Sequence, residues 1–190
     1  MCIRDRGAHV LHQETYLPEA YERLYGGDRF KGDPDARLQQ QQSALDVGWK
    51  ELGVAALLGL TTDLLTEITC TLAHRQLLME AGAQRVAISV PRLCPGTGTN
   101  VHGHCSDDQF VRAVLIYRLL APRAVIVLTA RETTSMRDRL FLVTNRWGSR
   151  GSTVPGGYTL RPSRERLQVA GQFDLADNQR SIQRILRDNQ

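Results

Sequence analysis

The amino-acid sequence predicts an α/β protein: a partial TIM-type (β/α) barrel with about five βα units. Three observations carry this expectation. Short apolar, β-branched runs alternate with longer amphipathic stretches from residue 8 to about residue 144, the pattern of strand, crossover and strand. Two of the runs, Leu52–Leu58 and Ala124–Thr129, are apolar throughout, which suits strands covered on both faces. Polar residues collect directly after the runs, where a barrel gathers its site at the carboxyl edge of the sheet. Neither GxGxxG nor GxxxxGK[ST] is present to mark a nucleotide-binding first turn, so the barrel is preferred to a doubly wound sheet. A closed barrel of eight units takes roughly 250 residues, and 190 residues hold only part of one.

Taken in order, Ala8–Thr15 is the first strand, in which Val10 and Leu11 lead to the polar tip His12-Gln13-Glu14-Thr15. Pro18–Tyr25 is a short helix with proline in its first turn, ended by Gly26-Gly27-Asp28. Asp33-Pro34 opens a second helix, roughly Asp35 to Asp46, that stops near Gly48 and presents Gln39–Gln42 to solvent. Leu52–Leu58 is the second strand, closed by Gly59-Leu60-Thr61-Thr62. Asp63–Ala81 is a long helix with Leu64, Leu65, Ile68 and Leu72 on its apolar side. Arg85–Val90 is the third strand. It runs into Pro91-Arg92-Leu93-Cys94-Pro95-Gly96, where Arg92 stands among prolines that fix the backbone.

Ser106-Asp107-Asp108-Gln109 fits a capping box and starts a helix carrying Phe110, Val111, Val114, Leu115 and Ile116 as far as Ala121-Pro122. Ala124–Thr129 is the fourth strand, and it ends in charge at Arg131-Glu132. Thr133–Arg139 reads as helix and Leu140–Thr144 as a last short strand. Beyond them lie a glycine-rich loop at Ser149–Tyr158, an irregular stretch at 160–178 and a small amphipathic helix at Ser181–Arg187.

Composition narrows the function. Hydrophobic residues at 42% fit a soluble globular protein. The longest apolar runs fall far short of the roughly 20 residues of a membrane span, and no secretory signal is visible, so the cytoplasm is the expected location. The net charge of +4 comes from scattered arginines, with Lys31 and Lys50 the only lysines. Without a basic run interleaved with aromatics, neither a nucleic-acid surface nor a membrane surface is expected.

Cys2, Cys70, Cys94 and Cys105 form no CxxC pair; Cys70 is expected buried in its helix, and Cys94 and Cys105 in loops. Val101-His102-Gly103-His104-Cys105 concentrates potential ligands but lacks a second group at a recognisable spacing, so no metal site is assigned. Met1-Cys2-Ile3-Arg4-Asp5-Arg6 resembles a translated sequencing-adapter scar. The expected organisation is therefore residues 1–6 as that scar, 7–160 as the barrel part and 161–190 as an irregular C-terminal segment with a short helix.

Several stretches together resemble one family. They are His12-Gln13-Glu14-Thr15-Tyr16, Ala36-Arg37-Leu38, Gly53-Val54-Ala55-Ala56-Leu57-Leu58-Gly59-Leu60 and Ile88-Ser89-Val90-Pro91-Arg92-Leu93-Cys94-Pro95. Arg118-Leu119-Leu120-Ala121-Pro122 and Pro155-Gly156-Gly157-Tyr158 follow, and Gln172-Phe173-Asp174-Leu175-Ala176-Asp177 is similar to a segment near that family's C-terminus. Their order and spacing are those of radical S-adenosylmethionine (radical SAM) aromatic amino-acid lyases, nearest to the tyrosine lyases of thiamine thiazole synthesis. The resemblance runs from about His9 to the end of the chain.

What the resemblance implies is the C-terminal half of a radical SAM barrel. In that family a 4Fe-4S cluster on an N-terminal CxxxCxxC loop cleaves S-adenosylmethionine. The radical formed attacks tyrosine, which fragments to 2-iminoacetate and p-cresol. By matched position Glu14 would accept from the ribose hydroxyls and Arg37 would receive the cofactor carboxylate as a bidentate donor. Gln13 beside Glu14, and Gly59 at the end of the adenine-binding strand, complete the implied cofactor set. Arg92, Arg131 and Ser89 are the implied substrate residues, with one of the two arginines taking the substrate carboxylate and a structural ion pair the alternative for each. No catalytic residue is assigned, and a thiazole synthase is the implied protein partner.

Three departures temper this. CxxxCxxC is absent, so the chain is expected to be inactive by itself. Trp147-Gly148-Ser149-Arg150-Gly151-Ser152-Thr153 is out of step with the family's Ser-Ala-x-Ser-x-Thr loop. Val86 stands where hydrogenase-maturation tyrosine lyases carry a histidine, which favours the thiamine branch. A lyase of tryptophan or another aromatic amino acid, the hydrogenase-maturation tyrosine lyase and a non-catalytic shortened-barrel binding module stay as alternatives. Two unpaired strand edges and an uncovered core face predict self-association of the isolated chain.

Overall fold

A computed structural model describes residues 8–28, 31–93, 103–129 and 132–147. Five strands form one sheet: β1 (His9–Glu14), β2 (Glu51–Ala56), β3 (Arg85–Val90), β4 (Ile126–Leu128) and β5 (Arg146–Trp147). Every pairing is parallel, and spatial order equals chain order. A doubly wound sheet reverses direction partway across, whereas a barrel adds each strand beside the last; this arc follows the barrel rule. Among the described residues β1 and β5 are its edges.

The connections are helical: α1 (Pro18–Tyr25), α2 (Pro34–Asp46), α3 (Leu64–Glu80), α4 (Asp107–Leu120) and α5 (Thr134–Leu140). Four of them begin on a side-chain cap. The Asp33 carboxylate accepts from Ala36 N at 2.9 Å and that of Asp63 from Thr66 N at 3.0 Å. Ser106 and Gln109 close the expected reciprocal box at 3.2 and 2.9 Å, and the Thr133 hydroxyl accepts from Met136 N at 3.3 Å. Each such cap is worth about 1 kcal/mol and fixes where the chain turns from loop to helix. α1 starts on Pro18 with no side-chain cap.

Period-two alternation divides the sheet into two faces. Leu52, Val54, Val86, Ile88, Val90, Ile126 and Leu128 join Ile68, Leu78, Phe110, Val114 and Tyr117 in one core between sheet and helices. The alternate residues Gly53, Ala55, Ala87, Ser89 and Val127 line the opposite, concave side, where small side chains suit a narrow interior. A side chain on Gly53 would stand 2.9 Å from Val10 Cγ2. Arg118 closes the other end of the sheet. It donates to Val143 O at 3.0 Å, Pro122 O at 2.8 Å, Ala124 O at 3.1 Å and Asn145 Oδ1 at 2.5 Å. The Arg-Leu-Leu-Ala-Pro stretch thus ties the end of α4 to the entries of β4 and β5.

The strand expected at Leu140–Thr144 is absent. α5 runs through Leu140 and tightens into a 3₁₀ turn at Phe141–Val143, because both the amide and the hydroxyl of Thr144 donate back to Leu140 O, at 3.1 and 3.0 Å. Pairing resumes only where Asn145 N meets Ile126 O at 2.9 Å, and the strand is Arg146–Trp147. The expected apolar side of α3 is also rotated. Leu65 is 68% exposed, while Glu67, Ile68, Thr71, His74 and Leu78 are buried. Leu115 is likewise exposed on α4, and Cys70 is half-buried rather than buried. The expected glycine-rich loop at Ser149–Tyr158, the irregular stretch at 160–178 and the helix at Ser181–Arg187 lie outside the described residues. No helix among the described residues is long and apolar enough to cross a membrane.

Candidate functional site

The carboxyl edge of the sheet has two sides that differ in how their charges are satisfied. On the β1 side a register shift between His12 and Glu14 ends the strand. Glu14 then adopts φ +73°, a left-handed conformation that a residue with a Cβ takes only at a cost of roughly 1–2 kcal/mol. Its carboxylate meets Lys31 Nζ at 2.6 Å. Beneath it, Gln13 is 2% exposed and Arg37, from α2, is 8% exposed. Gln13 Nε2 donates to Pro34 O at 3.4 Å and an Arg37 Nη donates to His12 O. Gln13 Oε1 and Arg37 Nε have no hydrogen-bond partner among the described residues. Leaving such atoms buried and unpaired costs about 1–3 kcal/mol each, which a ligand offering a donor and an acceptor would recover.

Sequence reasoning missed the carboxylate that holds this side in place. Glu67, one turn into α3 and 1% exposed, reaches the ends of both β1 and β2. It accepts from the hydroxyl of Thr15, from Tyr16 N at 2.9 Å and from Thr61 Oγ1 at 3.1 Å. Burial lifts its pKa above the ordinary carboxylate range although all three donors pull it down. Tyr16 OH sits 2.8 Å from His74 Nδ1, and burial holds His74 below the usual histidine pKa, which favours the neutral ring. An acid in the first turn of a helix reads from sequence as dipole compensation. The available cue was the cluster of hydroxyl residues Thr15, Thr61 and Thr62 after two neighbouring strands.

Gly59 lies where β2 leaves the sheet, at φ +87°. A Cβ there would stand 2.8 Å from Cys105 N, so glycine is needed for the close approach of two loops. A cleft of about 800 Å³ opens beside it, between the start of α1 and the loop after β2, lined by Leu17, Pro18, Ala20, Leu24, Leu60, Thr61 and Gly103 among others.

On the β3 side Arg92 extends the sheet. Its backbone bridges to Leu58, with Leu58 N donating to Pro91 O at 3.0 Å and Leu93 N to Leu58 O at 2.8 Å. Its guanidinium engages Glu132 through Nε at 3.0 Å and Nη2 at 2.8 Å, and Asp107 through Nη1 at 2.6 Å. Nη1 also lies 3.4 Å from Cys105 O, and the Phe110 ring lies beneath the guanidinium at 4.8 Å. Burial raises the pKa of Glu132 despite Arg92. The same burial lowers that of Arg92, but its bond to Asp107 and the charge of Glu132 lift it above its ordinary value. Arg92 therefore forms the structural ion pair that stood as its alternative, and Glu132 is the partner the sequence did not supply. Ser89 is 8% exposed on the concave face, and Arg131 lies outside the described residues.

The β1 side fits S-adenosylmethionine: a carboxylate, a buried acceptor and a buried guanidinium suit a ligand with hydroxyls, an amine and a carboxylate. A 4Fe-4S cluster does not fit the residues present. CxxxCxxC is absent from the sequence, and among the described residues no three His, Cys, Asp or Glu side chains group as ligands.

Comparison with known proteins agrees with the motifs. The family profile "Biotin and Thiamin Synthesis associated domain" matches residues 89–183, half of the chain, beginning within β3. The 2-iminoacetate synthase of Escherichia coli (strain K12) is 32% identical over 152 residues, which cover 78% of this chain and 40% of that protein. That of Salmonella typhimurium (strain LT2) is 30% identical over 157 residues with the same coverage. The chain thus spans about 40% of the length of these curated relatives. Two solved structures superpose well. A HydG described as a maturase of the [FeFe]-hydrogenase gives a TM-score of 0.68 at 29% identity, covering 75% of this chain and 32% of that one. The HydG of Carboxydothermus hydrogenoformans gives 0.75 at 29% identity, covering 94% and 42%.

Proposed function

The chain belongs to the Biotin and Thiamin Synthesis associated domain family, and on that premise we propose that it forms the cofactor and substrate wall of a radical SAM tyrosine lyase. The reaction is cleavage of tyrosine to 2-iminoacetate and p-cresol for thiamine thiazole synthesis in the cytoplasm. The observation that carries this reading is the buried acceptor of Gln13 and donor of Arg37, unpaired among the described residues and close in the chain or fold to the end of β1 where Glu14 stands. S-adenosylmethionine supplies radical chemistry when bound beside a reduced cluster. What this chain contributes is binding and orientation. Glu14 accepts from the ribose hydroxyls, Arg37 donates to the cofactor carboxylate, Gln13 meets a donor of the same ligand, and Gly59 lets the β2 loop pass close to its neighbour.

Residues 7–160 supply the barrel part and 161–190 the C-terminal segment, with Ser89 and Arg131 assigned to the substrate by the family resemblance. A thiazole synthase is the expected recipient of the imine. The cluster motif has to come from outside these 190 residues, so the chain alone is inactive. Val86 is 1% exposed in the core between sheet and helices, a position that offers no metal ligand and supports the thiamine branch over the hydrogenase branch.

The test is a chimera in which residues 8–190 replace the corresponding part of the Escherichia coli 2-iminoacetate synthase. With tyrosine, S-adenosylmethionine and a reductant it should yield 5′-deoxyadenosine and p-cresol in equal amounts. Turnover of tryptophan instead would move the chain to another aromatic substrate. Loss of S-adenosylmethionine binding in a folded chimera would remove the cofactor reading.

A further inference from the structure

Lys31 is held in a way that an ordinary surface lysine is not. Its amide donates to Asp28 Oδ1 at 2.8 Å, and its carbonyl accepts from Tyr21 OH at 2.6 Å. Tyr21 is 1% exposed, so the Lys31 backbone is clamped to the core of the molecule. The side chain is clamped as well. Its ammonium lies 5.2 Å from the centroid of the Tyr25 ring and 2.6 Å from Glu14 Oε1. Two aromatic residues of α1 and one acid therefore fix a single lysine against the one non-glycine described residue with a left-handed backbone. In stability terms an ion pair whose lysine is 38% exposed contributes only about 0–1 kcal/mol, little return for so much fixed geometry.

The arrangement makes sense as orientation of a carboxylate. Glu14 starts from a strained backbone, and without a partner its carboxylate would rotate freely. Lys31 occupies one lone pair of Oε1, which leaves the second lone pair and both of Oε2 for incoming donors. Two adjacent hydroxyls match two oxygens of one carboxylate, provided the carboxylate is already turned toward them. Resting on the assignment of Glu14 to a ribose, we infer that Lys31 is a positioning residue of the adenosine site: it sets the Glu14 carboxylate for a vicinal diol. Its contribution is selective for the diol and absent for a ligand that lacks one.

The test uses the full 190-residue chain, with S-adenosylhomocysteine, adenosine and 2′,3′-dideoxyadenosine as probes in equilibrium dialysis and circular dichroism as the folding control. Lys31→Met should weaken binding of the first two about fivefold and leave the dideoxy nucleoside unchanged, and Lys31→Arg should restore most of the loss. Glu14→Gln should abolish the preference for adenosine over its dideoxy analogue. If Glu14→Gln does so while Lys31→Met binds all three probes like the native chain, the role of Lys31 is overturned and the Glu14 assignment stands. Equal weakening for all three probes would also overturn it, as a structural effect. If Glu14→Gln keeps the preference, or if the native chain binds no adenosine, both fall.

Discussion

The two sides of the sheet's carboxyl edge are built from the same kinds of residue and finished differently. After β3 and β4, Arg92 gives its donors to Glu132, Asp107 and a backbone carbonyl. After β1, among the described residues, the Glu14 carboxylate has one partner on a strained backbone, and Gln13 and Arg37 keep buried atoms unpaired. The closed side is scaffold, because its charges meet opposite charges within the protein and so rigidify what they touch. On the open side the polar groups lack, among the described residues, the partners a ligand could bring. An arginine at a barrel mouth is thus no guide by itself; whether its partners are already in the protein decides what it can bind.

The largest expected effect is on the closed side. Glu132→Ala takes from the part-buried Arg92 its fully buried counter-charge, Asp107 being exposed, and should cost about 3–5 kcal/mol in denaturant unfolding. Arg92→Met combined with Glu132→Leu should recover most of it, since two apolar residues leave no buried charge. A loss under about 1 kcal/mol for Glu132→Ala would erase the contrast between the two sides.

Next is the strut between the sides. Glu67→Ala strips the acceptor from Thr15, Thr61 and the Tyr16 amide and should cost about 2 kcal/mol. Its pH behaviour has a definite sign. The folded-state pKa of Glu67 lies above its unfolded value near 4.5, so the stability it contributes is full below that value and is lost as pH rises through the folded pKa. Glu67→Gln should flatten that loss. His74 works the other way. With its folded pKa held below the ordinary 6.5, stability is present above about pH 6.5 and declines as pH falls through the folded value. His74→Gln, whose amide can either donate to or accept from Tyr16 OH, should remove that decline in melts run from pH 7 to pH 5.

The same contrast explains what was legible in the sequence. The strands and helices up to α5 were, because apolar period, proline and cap residues act locally, and the Ser106–Gln109 box closes as its spacing requires. β5 was not, because two residues carry no period and its position is set by Asn145 pairing with Ile126. The buried face of α3 was misjudged for a related reason. Apolar periodicity looks for Leu65, whereas Glu67, Thr71 and His74 are buried through hydrogen bonds to partners more than 50 residues away or to their own helix. Arg92 was found as a mouth residue, but its acid lies 40 residues on, after the next strand. Motif spacing picks out residues; only the fold shows which of them are already spoken for.

The smallest effect is the sharpest test of the open side. Glu14→Gly removes a charge, an ion pair and a Cβ from φ +73°. Relief of the left-handed strain favours the variant by roughly 1 kcal/mol, and the pair with the partly exposed Lys31 returns about as much. The net change in unfolding free energy should therefore lie within about 0.5 kcal/mol of zero. Adenosine binding, by contrast, should lose its dependence on the ribose hydroxyls. A charge that can be deleted without loss of stability but not without loss of binding is held there for a ligand. A loss of 2 kcal/mol or more from Glu14→Gly would instead place Glu14 with Glu132, as part of the scaffold.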